Sequence, residues 1–189
     1  MGHKGEALRQ RIVAAADQLF YQQGYEKTSF SDIAAAVAIS RGNFYYHFKS
    51  KDEILSAVIN LRENEYQKML DAWEKEYSDP KQRILLYLNI LTANQDSIKS
   101  HGCPAGSLCT ELAKVRHTMF QDANQIMSLS RDWLIHQFEQ LGYTNSTHLA
   151  MHLLARLQGI STITNVFEDK EFLCNEIKNL IQWLDEIPK

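Results

Sequence analysis

The sequence predicts an all-α protein, and three observations predict it. Only three prolines, Pro80, Pro104 and Pro188, interrupt 189 residues, so long stretches carry no helix breaker. Apolar residues recur at i, i+3 and i+4 through almost every segment between them. No segment alternates apolar and polar residues in the manner of a half-buried strand. Hydrophobic residues make up 44% and charged residues 23%, the composition of a globular protein with a sizeable core. The longest apolar run, "ILLYLNILTA", spans ten residues and contains Asn89, well short of the ~18 that a membrane span needs.

Each helix has its own signals. The first runs from about Glu6 to Gln23, with Leu8, Ile12, Ala15, Ala16, Leu19 and Phe20 on one face and Gly24 as its stop. The second begins in "TSFSDIAAAVAIS", where Ser29 and Asp32 have S-x-x-D capping form and Ile33, Ala36 and Val37 point inward. The third starts after Ser40 and ends near Phe48. A capping box, Ser50 with Glu53, opens the fourth, which continues to about Tyr77 with Ile54, Leu55, Val58, Leu61, Met69 and Trp73 available for burial. Asp79 as N-cap and Pro80 at the first helical position start a fifth, extending to about Ser100. After the break "SHGCPAG", helices follow at about 104–115, 118–141, 146–167 and 169–186, with Gly142 closing the second of these. The expected architecture has about nine helices: a three-helix head over residues 1–50, then a long fourth helix leading into a larger helical body over 51–189.

Charge and cysteine usage bound the function. The net charge is −3, yet residues 1–51 carry +3 and residues 52–189 carry −6, a basic head on an acidic body. Cys103, Cys109 and Cys174 are odd in number and lack a framework spacing, which argues against a disulfide-stapled secreted fold. The stretch "MGHKGEALRQRIV" has no apolar signal core, so a cytoplasmic location without membrane partner is expected.

The aromatic-rich stretch "SRGNFYYHFKSKDEIL" raises the functional question. Three short helices with a four-residue connection between the second and third make a helix-turn-helix candidate. Phe44 and Phe48 lie one turn apart and can pack on Phe20, Ile33 and Val37. Arg41, Asn43, Tyr46 and His47 then project from other faces, with Tyr45 at the boundary. Those faces suit DNA. Arg41 and Asn43 can bond guanine and adenine edges, Gly42 lets backbone come close, and tyrosine hydroxyls can reach phosphate. Ser40 caps the third helix, and Lys49 and Lys51 follow as phosphate partners. Thr28 and Ser29 offer hydroxyls at the mouth of the second helix.

Residues 6–55 resemble the DNA-binding domain of the TetR family of transcriptional regulators. The resemblance rests on "IVAAADQLFYQQGYEKTSF", then "DIAAAVAIS", then "RGNFYYHFKSKDEIL", whose aromatic-aromatic-x-His-Phe-x-x-Lys run precedes a capped helix. It implies a homodimer on double-stranded DNA, a palindromic operator and, in most members, repression. It also implies Thr28, Arg41, Gly42, Asn43, Tyr45, Tyr46, His47 and Lys51 as the DNA-facing set. One departure is visible: the family usually has Gly in the turn where this chain has Ala38, and Ala in a left-handed conformation costs about 1 kcal/mol. The last two helices would form a four-helix bundle with their mates, and their stripes, Leu149, Leu153 and Leu157 then Ile177, Leu180, Ile181 and Leu184, are the expected dimer contacts.

The body is expected to hold a small-molecule effector of unknown identity. Candidates are Tyr66, Trp73, Tyr87, Phe120 and Trp133, with Met119 and Met127, as aromatic and sulfur residues at helical spacing. Cys103, as N-cap before Pro104, is a candidate sensor of electrophiles or oxidants, with Cys109 beside it; "SHGCPAG" resembles a Gly-Cys turn found in a subset of such regulators. His148 and His152 are spaced i, i+4, but no third ligand accompanies them, so neither metal nor cofactor is expected. No Gly-rich phosphate loop, nucleophile elbow or paired carboxylates appear, and catalysis is not expected. An all-helical enzyme and a helical protein-interaction module remain as competing readings.

Overall fold

A computed structural model describes residues 3–188; Met1, Gly2 and Lys189, at the outer ends of the two expected domains, lie outside the described residues. The helices are α1 (His3–Gln23), α2 (Phe30–Ala36), α3 (Arg41–His47), α4 (Lys51–Glu76), α5 (Pro80–Ala93), α6 (Gln95–His101), α7 (Pro104–Lys114), α8 (Phe120–Ala123), α9 (Gln125–Gln140), α10 (Ser146–Phe167) and α11 (Lys170–Glu186). All nine expected segments are helical. Two are interrupted, at Asn94 and Asn124, which gives eleven helices among the described residues. At Asn94 the side chain itself donates to the Ile90 carbonyl at 2.8 Å and competes with the backbone ladder. No described helix is long and apolar enough to cross a membrane.

The chain forms two compact units, Met1–Glu65 with Ser107–Asn124, and Tyr66–Gly106 with Gln125–Lys189. The division therefore does not follow the expected boundary at residue 51. In the first unit, Ile12, Phe20, Ile33, Phe44 and Phe48 share one core with Ile54, Leu55, Val58 and Ile59 from α4, and with Leu108, Leu112 and Ala123 from α7 and α8. Within α2 the inward residues are Ile33 and Ala34; Ala36, expected inside, is exposed.

Polar bonds fasten α7 to the α1–α2 connection. The Glu111 carboxylate accepts the N–H groups of Tyr25 and Glu26, both at 2.9 Å. A Cβ on Gly24 would meet that carboxylate at 3.0 Å, and Gly24 has φ +92°, so both the close approach and the backbone require glycine there. The buried Tyr25 hydroxyl donates to Asp52 Oδ1 at 2.6 Å, and His117 Nε2 lies 3.5 Å from the same oxygen. Burial, then the bond and charge of Asp52, push the Tyr25 phenol far up, so it stays a donor.

The second unit is built on α10, which packs against α9, α11, α6 and α5. Leu149, Leu153, Leu157, Ile177, Leu180 and Leu184 are all buried in its core, and Ile181 packs against that core partly buried. These seven, expected at a dimer interface, thus face inward. The apolar stripes were real, but their partners are helices of the same unit. Arg83 is buried there too, its guanidinium donating to the Tyr77 carbonyl at 2.7 Å and to Gln137 Oε1 at 3.0 Å, which compensates the desolvated charge.

Candidate nucleic-acid interface

Ser29 opens α2 with both halves of a capping box: its side chain accepts the Asp32 N–H, and Asp32 Oδ2 accepts the Ser29 N–H at 2.8 Å. These bonds hold the Asp32 carboxyl below its ordinary value. The helix closes with the Ile39 N–H bonded to the Ala34 carbonyl and the Ala38 N–H to the Ala35 carbonyl, both at 3.1 Å, which is a Schellman motif. Ala38 occupies its left-handed position at φ 56°. The turn thus keeps the geometry for which glycine is suited, and α3 is placed accordingly. Ser40 then caps α3 by accepting the Asn43 N–H at 3.3 Å.

The faces of α3 separate as expected for the core. Phe44 and Phe48 are each 1% exposed, whereas Tyr46 is 69% and Tyr45 45% exposed. Arg41, Gly42 and Asn43 are exposed beside them, and His47 is half-buried with the Tyr46 ring edge-on at 5.2 Å. The Tyr45 ring stands edge-on to Phe30 at 5.4 Å, and Arg41 Nη2 donates to Ser31 Oγ at 2.7 Å. Phe30 and Ser31 were not marked by the spacing; a polar residue two places after the N-cap of the preceding helix was the available signal.

Three expected phosphate partners are otherwise engaged. Thr28 is 1% exposed, donates to the Gly24 carbonyl at 2.7 Å and accepts from Gln23 Nε2 at 3.2 Å, so its hydroxyl is structural. The Ser29 hydroxyl donates to Asp32 Oδ2 at 2.7 Å, which leaves no free O–H for phosphate. Lys51 donates to the Tyr25 carbonyl at 3.0 Å and lies over the Tyr25 ring at 4.2 Å, tying α4 to the turn below it. Lys49 donates to the Tyr45 carbonyl and remains exposed.

The effector candidates divide between the units. Cys109 and Phe120, with Met119, pack against the head core, and the Cys109 thiol donates to the Ala123 carbonyl at 3.3 Å. In the second unit the Ser130 hydroxyl lies 2.8 Å from the Tyr66 hydroxyl. Tyr87 stacks on Trp133 at 5.8 Å, and Trp73 approaches Trp133 at 6.0 Å. Burial raises the phenols of Tyr66 and Tyr87 and keeps both as donors. Cys103 Sγ accepts from the Gly106 N–H and from Gln158 Nε2, each at 3.4 Å. Ser130 and Gln158 escaped sequence reasoning because a lone Ser or Gln on a helix carries no pattern.

A capped pair of seven-residue helices, the second bearing Arg41, Asn43 and Tyr46 outward on a fully buried Phe44–Phe48 base, defines a helix-turn-helix transcriptional regulator. Residues 12–58 match the family described as bacterial regulatory proteins, tetR family. An HTH-type transcriptional regulator encoded in the lacX 3′ region of Lactococcus lactis is 29% identical over 170 residues, covering 87% of each chain. The HTH-type transcriptional regulator TtgR of Pseudomonas putida is 22% identical over 96% of this chain and 90% of its own length. The crystal structure of a TetR transcriptional regulator from Legionella pneumophila superposes with a TM-score of 0.83 and 26% identity, covering 100% of this chain and 98% of that one. Residues 12–58 thus carry a DNA-binding domain of the tetR family type, on a chain whose whole length resembles a TetR transcriptional regulator in fold.

Proposed function

We propose that the protein is a homodimeric repressor that holds a palindromic operator in the cytoplasm and is released by a small molecule bound in the second unit. The observation that carries this reading is the division of α3, with two rings buried and Tyr46 left 69% exposed beside Arg41 and Asn43. A helix with a satisfied core face and an exposed aromatic-cationic face is suited to meeting a polyanion. Binding of labelled duplex from the DNA adjoining its own gene, titrated with salt, tests it. Sequence-specific retention at moderate salt is expected, and its absence would overturn the reading.

The dimer is proposed to form through the outward side of α10. Met151, Ala155, Gly159, Ile163 and Val166 are exposed and follow one another at intervals of three and four. A Cβ on Gly159 would meet nothing within 4 Å, so packing within the chain gives no reason for glycine in mid-helix. Glycine there is less favourable than Ala by about 1 kcal/mol, and close approach of a partner helix supplies a reason.

For the effector, the hydroxyls of Tyr66, Tyr87 and Ser130 beside the aromatic faces of Trp73 and Trp133 favour a flat ligand with a hydrogen-bond acceptor. Cys103, whose sulfur accepts two N–H groups, is proposed as the residue through which electrophiles act. Release of operator by N-ethylmaleimide should disappear in Cys103→Ser; unchanged release in that variant would reject the sensor role. Release follows from population shift: an effector that favours a head spacing unlike that of successive major grooves lowers operator affinity by its differential affinity for the two states.

A further inference from the structure

His117 stands in the connection between α7 and α8, in the first unit and away from the exposed face of α3. Arg116 and His117 close α7 in a Schellman motif. The His117 N–H bonds the Leu112 carbonyl at 2.9 Å, the Arg116 N–H bonds the Ala113 carbonyl at 3.1 Å, and Arg116 takes the left-handed position at φ 51°. The imidazole is 14% exposed, and both of its nitrogens have partners. Nδ1 accepts the Met119 N–H at 3.1 Å, two residues on, in the manner of an Asx turn. Nε2 lies 3.5 Å from Asp52 Oδ1 on α4. A backbone N–H can only donate, so Nδ1 presents a lone pair, and the neutral ring carries its proton on Nε2, toward the carboxylate.

We infer that His117 is a proton-operated clasp, closed on the turn before α8 while its ring is neutral and opened when the ring takes a second proton. That proton enters at Nδ1, the nitrogen that holds Met119. Two N–H groups cannot share one line, so the Met119 N–H loses its acceptor, while Nε2–H and the new positive charge stay drawn to Asp52. Acid thus exchanges a bond within the connection for an ion pair to α4. Asp52 is held in place for it. Its Oδ1 accepts the Tyr25 hydroxyl at 2.6 Å, and burial, then Asp52 itself, keeps that phenol protonated. The other charges around the ring are occupied or turned outward. Lys51 is spent on the Tyr25 and Glu26 carbonyls, and Glu111 on the N–H groups of the same two residues. Arg116 and the acid of α8, Asp122, are exposed. The consequence falls on α8, which spans only Phe120–Ala123 and whose N-cap, Met119, supplies no side-chain cap bond. Met119 and Phe120 pack against the head core and Ala123 is buried in it, so opening the clasp loosens that edge of the core.

The test follows the full-length, isotope-labelled chain by NMR from about pH 8 to about pH 5, the range in which imidazole titrates. Ring nitrogen shifts should place the proton of the neutral His117 on Nε2. Hydrogen exchange at the Met119 amide, corrected for the intrinsic effect of pH, should quicken roughly three- to tenfold as the ring protonates, the worth of one hydrogen bond. His117→Asn keeps a side-chain acceptor for the N–H two residues on and cannot titrate, so protection at Met119 should stay constant across the range. His117→Phe offers no acceptor, and its Met119 amide should be as weakly protected at neutral pH as that of the wild type in acid. Thermal melts establish that each variant is folded, and the two wild-type measurements decide the matter without them. A proton on Nδ1 in the neutral ring, unchanged protection of Met119 as the wild-type ring protonates, or a pH dependence that persists in His117→Asn would each overturn the inference.

Discussion

Ala38 is the residue on which the placement of the recognition helix turns. Its N–H and that of Ile39 close α2 in a Schellman motif, and its own φ of 56° puts an L side chain in the left-handed region. Arg11 Nη2 steadies the same turn by donating to the Val37 carbonyl at 3.1 Å. The Ala38 side chain is exposed, so nothing is lost by removing it. Ala38→Gly should therefore stabilise the head. Relief of the left-handed strain, about 1 kcal/mol or somewhat more, outweighs the extra freedom that glycine gives the unfolded chain, with a net gain of up to about 1 kcal/mol. A urea titration checks it. Operator affinity should stay as in the wild type, because the geometry that glycine favours is already the one present. Lower stability in the variant would mean that the methyl group contributes packing that its exposure does not suggest.

At the scale of helices, α7 is the informative element. The Glu111 carboxylate reaches back 86 residues to accept the Tyr25 N–H, and takes the Glu26 N–H beside it. Truncating it in Glu111→Ala leaves both N–H groups without their acceptor. A loss of about 1–3 kcal/mol is expected. It should be read as faster amide hydrogen exchange at Tyr25 and Glu26, with the exchange of α3 changing less. Unaltered exchange at those two amides would show that solvent replaces the carboxylate at no cost. This tie also marks where sequence reading stops. Periodicity displayed the apolar faces of all nine segments, and caps such as Ser29–Asp32 and Asp79–Pro80 were legible because their rules act over three or four residues. Periodicity does not say which distant helix a face covers. Leu149, Leu153 and Leu157 were legible as apolar, but a helix enclosed by several others buries its widest stripe among its own neighbours. That Arg41, Asn43 and Tyr46 stand outside the core of α3 was legible because its core residues are only two and large. Thr28 was misjudged because its exposure depended on Gln23 and the Gly24 carbonyl one turn earlier.

At the scale of the whole molecule, the reading depends on two heads acting together. One head on one half-site gains few phosphate contacts. Joining two heads makes the second binding event intramolecular, at an effective concentration set by the dimer. The proposed contact is the exposed α10 stripe, centred on Ala155 and Gly159, and Gly159 offers a way to break it without harming the fold. Its Cβ position is open in the chain and its φ is not in the left-handed range, so a longer side chain can be accommodated by the monomer. Gly159→Glu should leave each unit folded, even raising the helical preference of α10 by several tenths of a kcal/mol. In the dimer the same change places a carboxylate of each copy in the closest part of an apolar contact, where desolvation opposes it. Sedimentation should show monomer for the variant at concentrations where the wild type is dimeric. Affinity for a duplex with two half-sites should fall to that for one, and the salt slope should fall by about half, since half the phosphate contacts are made per bound species. A dimeric Gly159→Glu protein with wild-type operator binding would place the contact on another face and leave the mid-helix glycine without this explanation.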